Sequence, residues 1–155
     1  MTAVEFRNID AANFWQVINL RVAESQQNFV APNVRSIAEC VPYPHLVPNA
    51  IFAGDQLVGF ALYGRDLDTG KYWIVRLMID AAHQSKGFGK AATRILIDNM
   101  KGLPGCTEIN LSFVTGNTAA EELYRSVGFE PTGDINESGE IIMRYTVPKE
   151  AFAHS

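Results

Sequence analysis

Trp73-Ile74-Val75-Arg76-Leu77-Met78-Ile79-Asp80 runs through a short loop into Gln84-Ser85-Lys86-Gly87-Phe88-Gly89-Lys90, and the reading of this stretch decides the fold. Ile74 to Ile79 is an apolar segment of strand length. Beyond the glycines, Ala91, Ala92, Ile95, Leu96 and Met100 recur at three- and four-residue intervals, which predicts a helix. A strand followed by closely spaced glycines at a helix start turns several unpartnered N–H groups toward one point. First-turn amides lack intrahelical acceptors and the helix dipole adds positive potential, so the pattern predicts an anion site, most often for phosphate.

Three phosphate ligands compete for this loop. A P-loop requires G-x-x-x-x-G-K-[ST]; here Ala91 follows Gly89-Lys90, and Gln84 stands at the first glycine. Without the hydroxyl there is no magnesium ligand, which excludes nucleoside triphosphate hydrolysis. Gly87-Phe88-Gly89-Lys90-Ala91-Ala92 reads G-x-G-x-x-A, the letters of a dinucleotide fingerprint. Those glycines should follow their strand at once, yet Asp80 to Lys86 intervene, and the next strand ends Leu111-Ser112-Phe113-Val114 without a ribose-binding acid. The third reading is a cradle for the pyrophosphate of coenzyme A.

Leu77-Met78-Ile79-Asp80 with Gln84-Ser85-Lys86-Gly87-Phe88-Gly89-Lys90-Ala91 resembles the acetyl-CoA motif [RQ]-x-x-G-x-[GA] of the GNAT superfamily of N-acetyltransferases. Asn117-Thr118-Ala119-Ala120 and Leu123-Tyr124-Arg125-Ser126-Val127-Gly128-Phe129 resemble that superfamily's second landmark, N-x-x-A-x-x-L-Y-x-x-x-G-F. Gln27-Asn28-Phe29-Val30-Ala31-Pro32-Asn33, taken with Arg76 to Asp80, is similar to the bacterial spermine/spermidine acetyltransferases. The resemblance implies an α/β (α+β) fold. Its mixed, mostly antiparallel, twisted sheet has about seven strands, splayed between the fourth and fifth, with about four helices on both faces.

Composition fits one soluble domain spanning residues 1–155. The chain of 155 residues is 47% hydrophobic and 19% charged, ordinary for a globular protein and unlike a disordered one. No apolar run approaches the roughly eighteen residues of a membrane span, and the N-terminus lacks a basic-then-apolar leader. Cys40 and Cys106 are far apart, without metal-ligand spacing, and read as small hydrophobes in a reducing cytoplasm. Thirteen basic residues against seventeen acidic ones give a net charge of −4, and the basic ones are dispersed. That excludes the clustered basic face of a nucleic-acid binder and suits a cationic small molecule.

Local signals order the elements. Val4 to Ile9 reads as an opening strand, and Asp10 caps a helix with Phe14, Val17, Ile18 and Val22 on its apolar face. A short helix spans Val34 to Cys40 between prolines. Ala50 to Ala53 and Leu57 to Tyr63 form a hairpin about Gly54-Asp55. The central strand, Tyr72 to Ile79, leads to a helix from Phe88 to Met100, then a strand from Thr107 to Phe113. Asn117 caps a helix through Ser126 that Gly128 stops, and residues 129–134 and 140–147 close as a hairpin.

Site roles follow from the resemblance. Amides from Gln84 to Lys90 hold the diphosphate, with Gly87 and Gly89 small enough for its approach and Lys86 and Lys90 adding charge. Leu77, Met78 and Ile79 offer main-chain groups to the pantetheine, and the Ile79 amide polarises the thioester carbonyl. Asn117 either bonds the pantetheine or caps its helix. Tyr124, sharing a face with Ala120, points its hydroxyl at the coenzyme sulfur. Phenol titrates near 10 and a thiol near 8.5, so full proton transfer is uphill by about 2 kcal/mol and hydrogen-bond support of the thiolate is the safer role.

The acceptor side is less sharply marked. An alkylammonium is neutral at pH 7 to about one part in 2,500, a cost of about 4.6 kcal/mol, so a base is needed. Glu24 is the leading candidate for it and Glu39 another, while His83 sits in the phosphate-side loop. Phe29, Tyr43, Tyr63 and Trp73 lie on segments that border the acceptor, where ring faces can hold ammonium groups. Glu137 and Glu140 are placed to hold a second ammonium, and Arg76 pairs with an acid. The expected activity is acetyl transfer from acetyl-CoA, without a metal, to a polyamine or diamine by direct attack in a ternary complex. Another primary amine (a protein N-terminus, amino acid or aminoglycoside) and a non-catalytic CoA-binding module are the alternatives. A homodimer is implied by the resemblance alone.

Overall fold

The computed structural model of the chain describes residues 3–27 and 31–148. In order come β1 (Glu5–Arg7), α1 (Phe14–Asn19), α2 (Asn33–Glu39), β2 (Val47–Ala53), β3 (Gln56–Arg65), β4 (Tyr72–Ile79), α3 (Phe88–Lys101), β5 (Glu108–Phe113), α4 (Thr118–Ser126), β6 (Glu130–Ile135) and β7 (Ile141–Thr146). Single 3-10 turns cover Glu24–Gln26 and Ala81–His83. The strands make one seven-stranded sheet in the order β1-β2-β3-β4-β5-β7-β6. Every neighbouring pair is antiparallel except β4 and β5. No helix among the described residues is long and apolar enough to cross a membrane.

The apolar runs of β2, β3 and β4 lack simple alternation because both faces of the sheet are covered. Ile51, Ala61 and Ile79 face a core shared with Ala92, Leu96 and Met100 of α3. Their neighbours Ala50, Phe52, Phe60, Leu62 and Met78 face a second core with Val17 of α1. Gly59 in β3 is small for a stated reason: a Cβ there would lie 2.4 Å from the Met78 carbonyl oxygen of β4.

Two elements are shorter than expected. The Asp10 side chain does cap its turn, accepting from the Ala12 and Asn13 amides at 2.9 and 3.0 Å. The helix ends at Asn19, short of Val22, because the next backbone is taken elsewhere. The Arg21 amide donates to Asp80 Oδ1 at 2.9 Å and its carbonyl accepts from Ala81 at 2.7 Å. The opening strand shrinks to Glu5–Arg7, the residues with partners in β2.

The parallel contact matters most for the site. Among the described residues, β4 and β5 pair at Tyr72↔Ile109 and Trp73↔Asn110, and then part. Buried Asn110 stands at the fork. Its amide nitrogen donates to the Tyr72 carbonyl at 3.3 Å, and its oxygen accepts from Arg144 Nε at 3.0 Å. Beyond it the edges of β4 and β5 face a wedge-shaped opening, the splay that the sequence resemblance implies.

Candidate active site

The loop from β4 to α3 is built to leave donors free. Ser85 and Gly87 both take left-handed backbone, with φ of 64° and 83°. For Ser85 that conformation is strained, and such alternation gathers successive amides into a concavity for anions. Among the described residues no acceptor is recorded for the amides of Gln84 to Lys90; the first helical bond is Ala91 to the Gly87 carbonyl, 3.1 Å. Gly87 sits at the cap of α3, so its free amide and those after it combine with the helix dipole.

Individual side chains refine this picture. Gln84 Nε2 donates to the Ile79 carbonyl and to Gln26 Oε1, both at 2.9 Å, tying the loop to the strand end and to the first 3-10 turn. Gly89 has a packing reason for its size: a Cβ there would meet Leu123 Cδ1 of α4 at 3.3 Å. Lys90 lines the adjoining cleft, whereas Lys86 points to solvent and does not. The Phe88 ring lies tilted against His83, with centroids 6.5 Å apart.

Three clefts share walls. The first, about 330 Å³, lies between the end of β4, the loop and α4, and is lined by Ile79, Gly87, Asn117 and Tyr124 among others. Asp80 donates to the Val58 carbonyl of β3, so strand alternation turns the N–H groups of Leu77 and Ile79 to the open edge. The Met78 side chain is buried on the other face against Asn33. Asn117 caps α4, its Oδ1 accepting from Ala120 at 3.2 Å, and it lines this cleft and the next.

The second cleft, about 500 Å³, is the wedge itself, walled by β4, β5 and α4. Tyr124 reaches both clefts, between Phe113 and Phe129 at ring separations of 6.4 and 5.7 Å. Burial pushes its phenol up to about 12. Its hydroxyl has no hydrogen-bond partner among the described residues and is not sealed from the cleft. Arg35, Arg76, Ser112 and Glu140 also line the wedge.

The third cleft, about 580 Å³, opens from the wedge past Arg76 and Ser112. Tyr43 and Trp73 line it, as do Asp66 and Asp68 of the β3–β4 turn, neither of which is ion-paired among the described residues. Arg65 lines it too, with its Nε donating to the Gly70 carbonyl at 2.9 Å and its guanidinium 5.2 Å from the Tyr72 ring centre. Arg76 has the acid partner expected of it, Glu39 at 3.2 Å, which also meets Arg35 at 3.4 Å. Glu39 thus backs a cleft wall. Glu24 is exposed on its turn and lines none of the three clefts, where Gln26 takes the inward place. Phe29 lies outside the described residues.

The sequence profile of the "Acetyltransferase (GNAT) family" matches residues 8–129. The chain belongs to that family. A spermine/spermidine N(1)-acetyltransferase of Bacillus subtilis is 27% identical over 147 residues, covering 91% of this chain and 97% of that protein. Among solved structures, an aminoglycoside acetyltransferase bound to coenzyme A and kanamycin superposes with a TM-score of 0.78 at 18% identity, covering 99% of each chain. The spermidine N-acetyltransferase of Vibrio cholerae, in complex with CoA and spermine, superposes at 0.75 with 15% identity, covering 95% of this chain and 97% of that one. At such identities the two likenesses concern the fold.

Within this GNAT chain, residues of the cleft walls that escaped sequence reasoning include Arg35, Ser112, Asn136, Asp66 and Asp68. Ser112 carried a faint signal, a lone hydroxyl inside Leu111-Ser112-Phe113. The two aspartates look like ordinary turn residues, and Asp66 is one, accepting from Asp68 at 2.8 Å. Neither cysteine resembles a nucleophile, since burial pushes both thiols up and away from the reactive thiolate.

Proposed function

We propose that this GNAT enzyme transfers the acetyl group of acetyl-CoA to a primary amine of a polyamine or diamine such as spermidine, by direct attack in a ternary complex. The observation that carries the reading is the row of unpartnered amides from Gln84 to Lys90, opening on a cleft that runs to the Tyr124 hydroxyl. The diphosphate sits on those amides, with Lys90 beside it. The pantetheine fills the wedge along the open edge of β4, taking hydrogen bonds from Leu77 and Ile79 and passing Asn117 and Ala120. The Ile79 amide polarises the carbonyl and Tyr124 supports the departing thiolate.

Cationic acceptors are favoured by Asp66 and Asp68, free of ion pairs among the described residues, with the Tyr43 and Trp73 rings on the same cleft. The likeness to the Bacillus enzyme, whose name specifies spermine and spermidine, supports the same choice. The raised thiols of both free cysteines support direct attack over a covalent acetyl-enzyme. One domain acting as a homodimer in the cytoplasm completes the reading; sedimentation velocity tests the dimer.

Thiol release from acetyl-CoA across spermine, spermidine, putrescine, kanamycin and a lysine peptide tests the acceptor. Polyamines should turn over fastest. Preference for kanamycin or the peptide would shift the acceptor class, and silence with every amine would remove catalysis altogether.

A further inference from the structure

Acetyl transfer to an amine needs a proton acceptor, and the two carboxylates singled out from sequence do not serve. Glu24 lies off the clefts and Glu39 is engaged by two guanidinium groups. A third carboxylate stands in the wedge opposite Tyr124. We propose that Glu140 accepts the proton released by the attacking amine, with Ser112 and Asn136 as the residues that position it; this rests on the acetyl-transfer reading above.

The geometry is that of a held base. Ser112 Oγ, from β5, donates to Glu140 Oε1 at 2.7 Å, and Asn136 Nδ2 donates to the same oxygen at 3.3 Å. The backbone behind it is locked: the Glu140 and Ser138 amides both donate to Asn136 Oδ1 at 2.9 Å, and the Asn136 amide to the Glu140 carbonyl at 2.9 Å. One carboxylate oxygen is thereby fixed. The other, Oε2, has no partner among the described residues and is not sealed from the wedge that Glu140 lines. Arg35 from α2, Arg76 from β4 and Tyr124 from α4 face the same space. Ser112 and Asn136 also line the acceptor-side cleft, so the carboxylate stands where the proposed acceptor and acetyl paths meet.

The step balances as follows. The ammonium first gives one proton to solvent. The nitrogen lone pair then forms the C–N bond while the carbonyl π pair moves onto oxygen. As that bond forms the nitrogen turns acidic, and Glu140 Oε2 takes its second proton. The oxygen pair re-forms C=O, the C–S bond breaks, and the thiolate leaves against the Tyr124 hydroxyl. Water then carries the proton from Glu140 to the thiolate.

Glu140→Gln keeps an oxygen for Ser112 and removes only the basicity and charge. Turnover on the best amine should fall by about 10²- to 10⁴-fold, with calorimetric acetyl-CoA affinity and thermal midpoint unchanged. Ser112→Ala should lower turnover by about tenfold with the amine KM unchanged, and cost nothing further in the Glu140→Gln background. Should Glu140→Gln fail to fold, Ser112→Ala, which deletes one hydroxyl, decides alone. Unchanged turnover, or a raised amine KM with turnover intact, overturns the assignment while leaving acetyl transfer standing. A wild-type protein silent with every amine overturns both.

Discussion

Tyr124 is shut between Phe113 and Phe129, and that enclosure limits what its hydroxyl does. With the phenol pushed up to about 12, handing its proton to a thiolate of ordinary basicity is uphill by about 5 kcal/mol. In the proposed role, donating a hydrogen bond to the thiolate is therefore the useful act. Tyr124→Phe should lower turnover about 10²-fold and leave acetyl-CoA affinity nearly untouched, as initial rates and calorimetry would show. The raised phenol also predicts a pH effect. The folded state holds this proton more tightly than the unfolded chain, so the associated stability is complete below pH 10 and lost as pH climbs toward 12. Denaturation midpoints should show the wild type losing up to about 2.7 kcal/mol more than Tyr124→Phe over that range. Tyr124 was legible because it sits in a spaced motif. The contact of Glu140 with Ser112 was not, because it forms only when β7 inserts between β5 and β6.

At the scale of elements, β4 does two jobs: one edge pairs with β3 and the other faces the wedge. Gly59 sits opposite Ile79 where those jobs meet. Gly59→Ala would push a methyl against the Met78 carbonyl, a backbone atom that cannot step aside. We expect a loss of about 3 kcal/mol in urea denaturation, together with weaker acetyl-CoA binding as Met78 and Ile79 shift. The hairpin, the central strand and helix α3 were readable because their signals are local: turn residues, apolar runs and helical spacing. The end of α1 was not, since Asn19 stops it only because Arg21 pairs with Asp80 and Ala81 far along the chain. Gly89 shows a subtler miss. Its size serves the contact with Leu123 as well as the loop.

For the whole molecule, the decisive fact is how little backbone pairing joins β1–β4 to β5–β7. Two backbone residue pairs and the buried Asn110 join that seam, backed by the Lys71–Glu108 ion pair and the core under α3 that both sides share. A ligand spanning the wedge touches both sides, so it should stabilise the protein by mass action, by about 2.7 kcal/mol at a hundredfold excess over its Kd. Thermal melts with coenzyme A should rise by about 5–10 °C, and with a diphosphate alone by much less. The order β5-β7-β6 formed no part of the sequence reading, because nothing local says which strand a closing hairpin will meet.

The shared cleft walls have a kinetic corollary. With the substrates placed as proposed, the adjoining clefts give the thioester and the amine separate doorways to a common midpoint. Neither substrate must depart to admit the other, so double-reciprocal plots should intersect. Spent carrier should compete with its acetylated form but not with the amine.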